Sequence, residues 1–191
     1  MRELSLHILD IAENSIAAGA DTIEIVVSED TKDDRLRLQV KDNGRGMDAE
    51  LIERVTDPFV TSRTTRKVGL GIPLLKAAAE ACDGWLTIQS EPGKGACVEV
   101  EFQRSHIDRM PLGDIATTLL NLVVTNPQIR WLFSYQVDQD AFKFDSQPIR
   151  RELGDIPLSE PVVLAFLREL ISTGVSNVQP SEDAAGQRLN L

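Results

Sequence analysis

The chain has 191 residues, 42% of them hydrophobic, and a formal net charge of −10. That size and apolar content suit one medium domain or two small ones with a real core, while the acidic balance argues against nucleic acid or an anionic membrane as the main partner. Two cysteines without CxxC spacing, an N-terminus interrupted by Glu3 and Asp10, and no run approaching the roughly 20 apolar residues of a membrane span lead us to expect a soluble cytoplasmic protein with reduced thiols.

In chain order, residues 3–18 read as a helix ending at Gly19. TIEIVV (22–27) and RLRLQV (35–40) alternate as half-buried strands do, with an acidic turn between them. DAELIERV (48–55) suits a short helix, capped by Asp48 and facing inward through Leu51. Residues 57–68 are polar and basic without a period; a helix then begins near Gly71 and runs to Cys82. WLTIQS and CVEVEF are two more strands, joined by the turn EPGKG. Strand pairs interleaved with helices predict an α+β two-layer sandwich, with helices on one face of a mixed or antiparallel sheet.

After Phe102 the character changes. SHIDRMPLGD looks like a linker. Ile115, Leu119, Leu122 and Val123 share one helical face, and Ile129, Trp131, Phe133, Tyr135 and Val137 alternate along a strand. AFKF continues that alternation after a turn. Ser159 is expected to cap a last helix whose inner face is Val163, Phe166, Leu167, Leu170 and Ile171, with Gly174 as its end. This gives a first domain at 1–104, a small α-β-β-α unit at 107–176, and a polar tail at 177–191.

Three segments carry chemistry. In ILDIAENSIAAGA (8–20), Asp10 and Asn14 stand one turn apart on a helix that is otherwise apolar, with Glu13 beside them. A carboxylate near an amide oxygen can position water and hold a hydrated Mg²⁺, although two polar groups at the edge of a packed helix read the same way. KDNGRGMD (41–48) follows a strand: Asp42 can accept from an exocyclic amino group, and Gly44 and Gly46 clear space for a flat ligand. A simple glycine turn is the alternative. In DPFVTSRTTRKVGLGIPL (57–74), Arg63, Arg66 and Lys67 cluster against the acidic background, and Gly69 and Gly71 lead into a helix N-terminus, which suits phosphate.

The order of the three segments resembles the ATP-binding domain shared by histidine kinases, gyrase-type topoisomerases, MutL and anti-sigma-factor serine kinases (the Bergerat fold). AENSIAAGA is similar to its N box, DNGRGMD to its first glycine box, DPFVTSR to the F box of histidine kinases, GLGIPL to its second glycine box, and SEPGKGACVEVEF to its closing strand pair. The resemblance covers about residues 4–103. It implies ATP and Mg²⁺ as ligands, with Asn14 on the metal and Asp42 on the adenine amino group. Asn43, Gly44, Gly46 and Met47 would line the base and ribose, and Thr61, Arg63, Arg66, Lys67, Gly69, Leu70 and Gly71 the phosphates. Asp10 stands where several members carry a glutamate general base, so it is the catalytic candidate, with Glu13 as fallback. Ala96 stands where several carry a threonine.

The short lid matches the kinase branch, and stand-alone proteins of the anti-sigma serine-kinase type more than MutL. His7 shares the face of Asp10, and His106 is not followed by the acid of a phospho-acceptor box. The expected function is therefore transfer of the γ-phosphate to a partner protein, or ATP hydrolysis. The alternatives are a nucleotide-switched regulatory module with little turnover and a MutL-like clamp ATPase. A protein partner is expected, a homodimer is allowed, and nucleic acid and membrane are not expected.

Overall fold

The computed structural model describes residues 3–56 and 71–179. Helix α1 (Leu4–Ala17) is followed by the antiparallel pair β1 (Thr22–Asp30) and β2 (Arg35–Asp42), then α2 (Ala49–Thr56) and α3 (Gly71–Glu80). Strands β3 (Trp85–Glu91) and β4 (Gly95–Gln103) pair antiparallel, and β4 lies against β2. Then come α4 (Ile115–Thr125), β5 (Arg130–Val137), β6 (Asp140–Asp145), α5 (Ser146–Leu153) and α6 (Pro161–Val178). The strands form one mixed sheet in the order β3-β4-β2-β1-β5-β6.

The alternation read in the sequence sets the two faces of this sheet. Ile23, Ile25 and Val27 of β1, Leu36, Leu38 and Val40 of β2, Val98, Val100 and Phe102 of β4, and Trp131, Phe133 and Tyr135 of β5 are buried. They pack with Leu4, Ile8, Ile11 and Ala12 of α1, Leu75 and Ala79 of α3, and the apolar sides of α4 and α6 in one core. On the opposite face Arg37 holds Glu101 at 2.6 Å and Glu99 at 3.4 Å, and its guanidinium lies 5.8 Å from the Trp85 ring centroid. A polar ladder of this kind is what a sheet face without covering helices requires. The sandwich is thus the expected α+β two-layer one.

The strands of the C-terminal unit do not form a sheet of their own. β5 runs parallel to β1, with Ile23 opposite Trp131 and Ile25 opposite Phe133. A buried polar knot fastens the far end of this pair: Glu29 accepts from the Tyr135 hydroxyl at 2.7 Å and from Arg104 Nε at 2.6 Å. Burial, followed by the hydrogen bond to Glu29, pushes the Tyr135 phenol far above its usual range.

Several expectations need correcting. Asp48 does cap α2, accepting from Leu51 N at 2.8 Å, but the buried residue of that helix is Val55 while Leu51 is only half-buried. Helix α5 was not expected: SQPIRREL is too polar to show an apolar period, and it is started by Asp145, whose carboxylate accepts from Gln147 N at 2.9 Å. Ser159 does not cap α6; Glu160 occupies that position without a side-chain bond, and Pro161 opens the helix. The buried stripe is Val163, Leu167, Ile171, Val175 and Val178, a strict i+4 series with a last step of three, which rotates Phe166 and Leu170 out to 54% and 36% exposure.

Gly174 does not end α6, which runs on to Val178. The glycine is there for packing: a Cβ at this position would fall onto the Phe142 ring, itself set edge-on to Phe133 with centroids 6.2 Å apart. Alanine normally favours a helix by about 1 kcal/mol over glycine. Here the overlap should reverse the sign. We expect Gly174→Ala to lower stability by about 1–3 kcal/mol in urea unfolding; a stabilised variant would show that the ring moves aside freely.

Candidate functional site

Asp42 is the last residue of β2 and is 9% exposed. Its register places it between Ile23 of β1 and Ala96 of β4. Oδ1 accepts from Gly44 N at 2.8 Å and from Ala96 N at 3.3 Å, and Oδ2 accepts from the Ser15 hydroxyl at 2.7 Å. The carboxylate is therefore held in one orientation by α1, by its own loop and by β4. Ala96 contributes its backbone N–H, which any residue there would supply.

The loop after Asp42 is pinned at each residue. Asn43 Oδ1 accepts from Asp21 N and Thr22 N, both at 3.0 Å, and its Nδ2 donates to Asp21 at 2.7 Å. That amide, expected near the base, is engaged at the start of β1, and its bond is the main reason the exposed Asp21 carboxyl sits below its ordinary range. Arg45 N donates to Ala18 O at 3.0 Å, and Gly93 N donates to Arg45 O at 2.7 Å. Met47 N donates to Ser90 Oγ at 2.8 Å, which donates onward to Gly95 O at 2.7 Å. The glycines answer to this packing. At Gly46 (φ +68°) a Cβ would run into the carbonyl of Glu91, and at Gly44 it would lie 3.0 Å from Ala18. A cleft of about 190 Å³ at this end of the sheet takes in Asp42 and Ala96 together with Lys41, Gln89 and Cys97, which share the face of Arg37 and Glu101, away from α1.

On α1, Asp10 is half-buried and Glu13 and Asn14 are exposed. Gly71, the first residue of α3, faces Asp10 closely: a Cβ there would sit 2.7 Å from Asp10 Oδ2. The first residue of α3 and the α1 carboxylate thus adjoin. His7 is 2% exposed, and among the described residues its Nδ1 has no partner. Burial, first of all, holds its pKa below the usual imidazole value, against the opposing pull of Asp10. Its ring lies near enough to Asp10 and Gly71 for both to act on it.

The structure brings together Asp42, Gly44, Gly46 and Met47 around β2, and sets Asp10 of α1 beside Gly71 of α3, with Asn14 exposed one turn further along α1. Thr61, Arg63, Arg66, Lys67, Gly69 and Leu70 lie outside the described residues. Among the described residues no group of three or more acidic, His or Cys side chains could hold a metal. The oxygen of Asn14, exposed on the turn after Asp10, is a hard donor of the kind Mg²⁺ accepts, with phosphate oxygens completing the shell. Sequence reasoning missed Ser15, Ser90 and Gly95. Ser15 had a signal: a serine one step past Asn14 on a mostly buried helix needs a partner, and a buried strand-end aspartate is a suitable one.

The family of histidine kinase-, DNA gyrase B- and HSP90-like ATPases matches residues 2–106, and the chain belongs to it. A protein of Rickettsia conorii named as an NtrY-like sensor histidine kinase is 32% identical over 108 residues, covering 56% of this chain and 18% of that one. The sensor protein kinase FleS of Pseudomonas aeruginosa is 41% identical over 90 residues, 47% of this chain and 22% of its own. The chain therefore spans about a fifth of the length of these relatives. Among solved structures, the N-terminal domain of a DNA repair protein superposes with a TM-score of 0.53 at 17% identity, covering 76% of this chain and 52% of that one, a likeness of fold.

Gly95 offers a direct test of the site's architecture. It has φ +88°, and a Cβ would fall on the carbonyl of Asp42. Gly95→Ala should lower unfolding free energy by at least about 2 kcal/mol and weaken nucleotide binding in parallel. Wild-type stability in urea would refute the close approach.

Proposed function

We propose that this protein binds ATP with Mg²⁺ and transfers the γ-phosphate to a partner protein or to water. The observation that carries the reading is Asp42. A carboxylate held by three donors where α1, β2 and β4 meet is fixed in direction and keeps acceptor capacity, since a carboxylate group offers about four lone-pair sites. That suits an exocyclic amino group of a base. The metal would neutralise phosphate charge and hold the phosphates in line; Asn14 is the residue to hold it. Asp10, beside the first residue of α3, would take a proton from an attacking water or hydroxyl. No described helix is long and apolar enough to cross a membrane; the use of ATP is what supports reading a cytoplasmic site of action. The chain would act on, or be part of, a signalling partnership.

A nucleotide-switched module with little turnover is the second reading. Asp10 favours it: its side chain is a methylene shorter than glutamate and already packs on Gly71.

Incubation with γ-labelled ATP and cell extract separates the two readings. Label on another chain or in free phosphate supports transfer; binding without release supports the module. Asp10→Asn should leave affinity nearly unchanged and lower turnover by roughly 10²- to 10⁴-fold. An unchanged rate would make Asp10 structural and move the test to Glu13.

Asn14→Ala should abolish Mg²⁺-dependent binding, read by titration with and without the metal. Asp42→Asn should weaken ATP binding while the far-UV spectrum stays native, because the Ser15 hydroxyl can turn to accept from the new amide. Native ATP affinity in Asp42→Asn would remove the adenine assignment.

A further inference from the structure

A groove of about 520 Å³ lies outside the site just described, between the start of β5, helix α5 and the turn that follows it. Arg150, Arg151, Gln128, Gln147 and Ile156 line it, together with Asp155 and neighbouring prolines. In a chain of net charge −10, two adjacent arginines facing one cavity are unusual. Neither forms an ion pair among the described residues. Asp145, at the start of α5, is already taken by Arg130, which meets it through two nitrogens at 2.7 and 3.2 Å. Arg151 acts on Asp145 only as a nearby charge. Arg150 leans on the carbonyls of Gln128 and Ile129 at 3.3 and 3.5 Å, contacts that orient the guanidinium and leave its remaining N–H groups to other acceptors. Asp155 offsets one of the two charges and leaves the groove net positive.

We propose that this groove receives an acidic segment of a partner protein. The arginines would grip carboxylates in pairs of hydrogen bonds. Gln128 and Gln147 offer amides to an extended peptide backbone. Ile156, 52% exposed at the rim, offers an apolar contact that a small anion would not use. Two arginines on an otherwise acidic molecule are too few to hold a nucleic acid. The placement also has a consequence. Trp131, three residues beyond Gln128, pairs with Ile23, which pairs with Asp42. Trp131 lies two strand spacings from Asp42, roughly 10 Å, and the groove, lined by Gln128 three residues earlier, stands beyond it at the sheet end that carries Asp42. A bound segment would hold its parent protein beside the nucleotide site. The docking itself does not depend on ATP being turned over.

The test is fluorescence anisotropy on the full chain, with a labelled octapeptide of alternating glutamate and leucine as probe. We expect saturable binding that weakens as salt rises and at least a tenfold loss in the double variant Arg150→Glu/Arg151→Glu. A lysine-for-glutamate peptide should not bind, and millimolar inorganic phosphate should not displace the probe. ATP affinity, measured on the same variants, should stay at the native value, which separates failure of the groove from failure of the nucleotide reading. Arg151→Glu alone, at an exposed position, decides the matter should the double variant unfold. The proposal falls if no saturable binding is seen, if the variants bind as the native chain does, if phosphate competes the peptide away, or if a second copy of the chain fills the groove and excludes it.

Discussion

The carboxylate of Asp42 accepts hydrogen bonds from three segments far apart in sequence: the Ser15 hydroxyl on α1, the Gly44 N–H in the loop, and the Ala96 N–H on β4. An anion this enclosed is costly unless donors surround it, so the three segments must meet where it sits. That requirement explains the small residues nearby. Gly44 and Gly46 let the loop lie against Ala18 and the carbonyl of Glu91, and Gly95 lets β4 pass close to the Asp42 carbonyl. It also explains the serines. Ser15 and Ser90 are short enough to bond a neighbour's backbone or carboxylate without pushing the layers apart, and Ser90 relays Met47 N to Gly95 O. A larger side chain at any of these points would move the carboxylate before it reached a ligand.

The rest of the sheet follows from the same edge. Asn43 uses its amide to hold Asp21 and Thr22, which start β1, and Asp21 O in turn accepts from Arg130 N, which starts β5. The parallel pairing of β1 and β5 is thereby fixed at one end by the loop that carries the site, and at the other by Glu29 with Tyr135 and Arg104. The C-terminal strands are thus hydrogen-bonded into the layer that positions Asp42.

Much of this was legible from residue patterns. Alternation marked strands, Asp10 and Asn14 stood out as polar residues on an otherwise apolar helix, and Asp42 stood out as a strand-end acid followed by two spaced glycines. Glycine placement was legible as a need, but its cause was not: spacing cannot tell room for a ligand from close approach of a backbone. Three things stayed hidden for definite reasons. Helix α5 depends on a cap and on packing beneath Arg150, with almost no apolar period of its own. The face of α6 was misjudged because Phe166 and Leu170 are as apolar as the residues that are buried, and only the contact with the sheet chooses between the two stripes. The pairing of β5 with β1 is a long-range parallel contact, and no local pattern specifies a partner strand.

Helix α1 shows how polar and apolar demands are reconciled. Leu4, Ile8, Ile11 and Ala12 of α1 face the core, while Asp10 and Asn14 lie on the side toward α3 and solvent. Its first backbone donors would otherwise be unsatisfied, since Glu3 makes no cap bond. Leu4 N and Ser5 N donate instead to the carbonyls of Pro111 and Leu112, at 3.0 and 2.8 Å, in the segment that leads into α4. Arg109 stiffens that segment by donating to Arg104 O and Met110 O. The linker is therefore a cap for the helix that carries Asp10, Asn14 and Ser15, and α4 packs directly on that helix. Two backbone hydrogen bonds therefore tie the segment leading into α4 to α1, and the Ser15 hydroxyl ties α1 to Asp42.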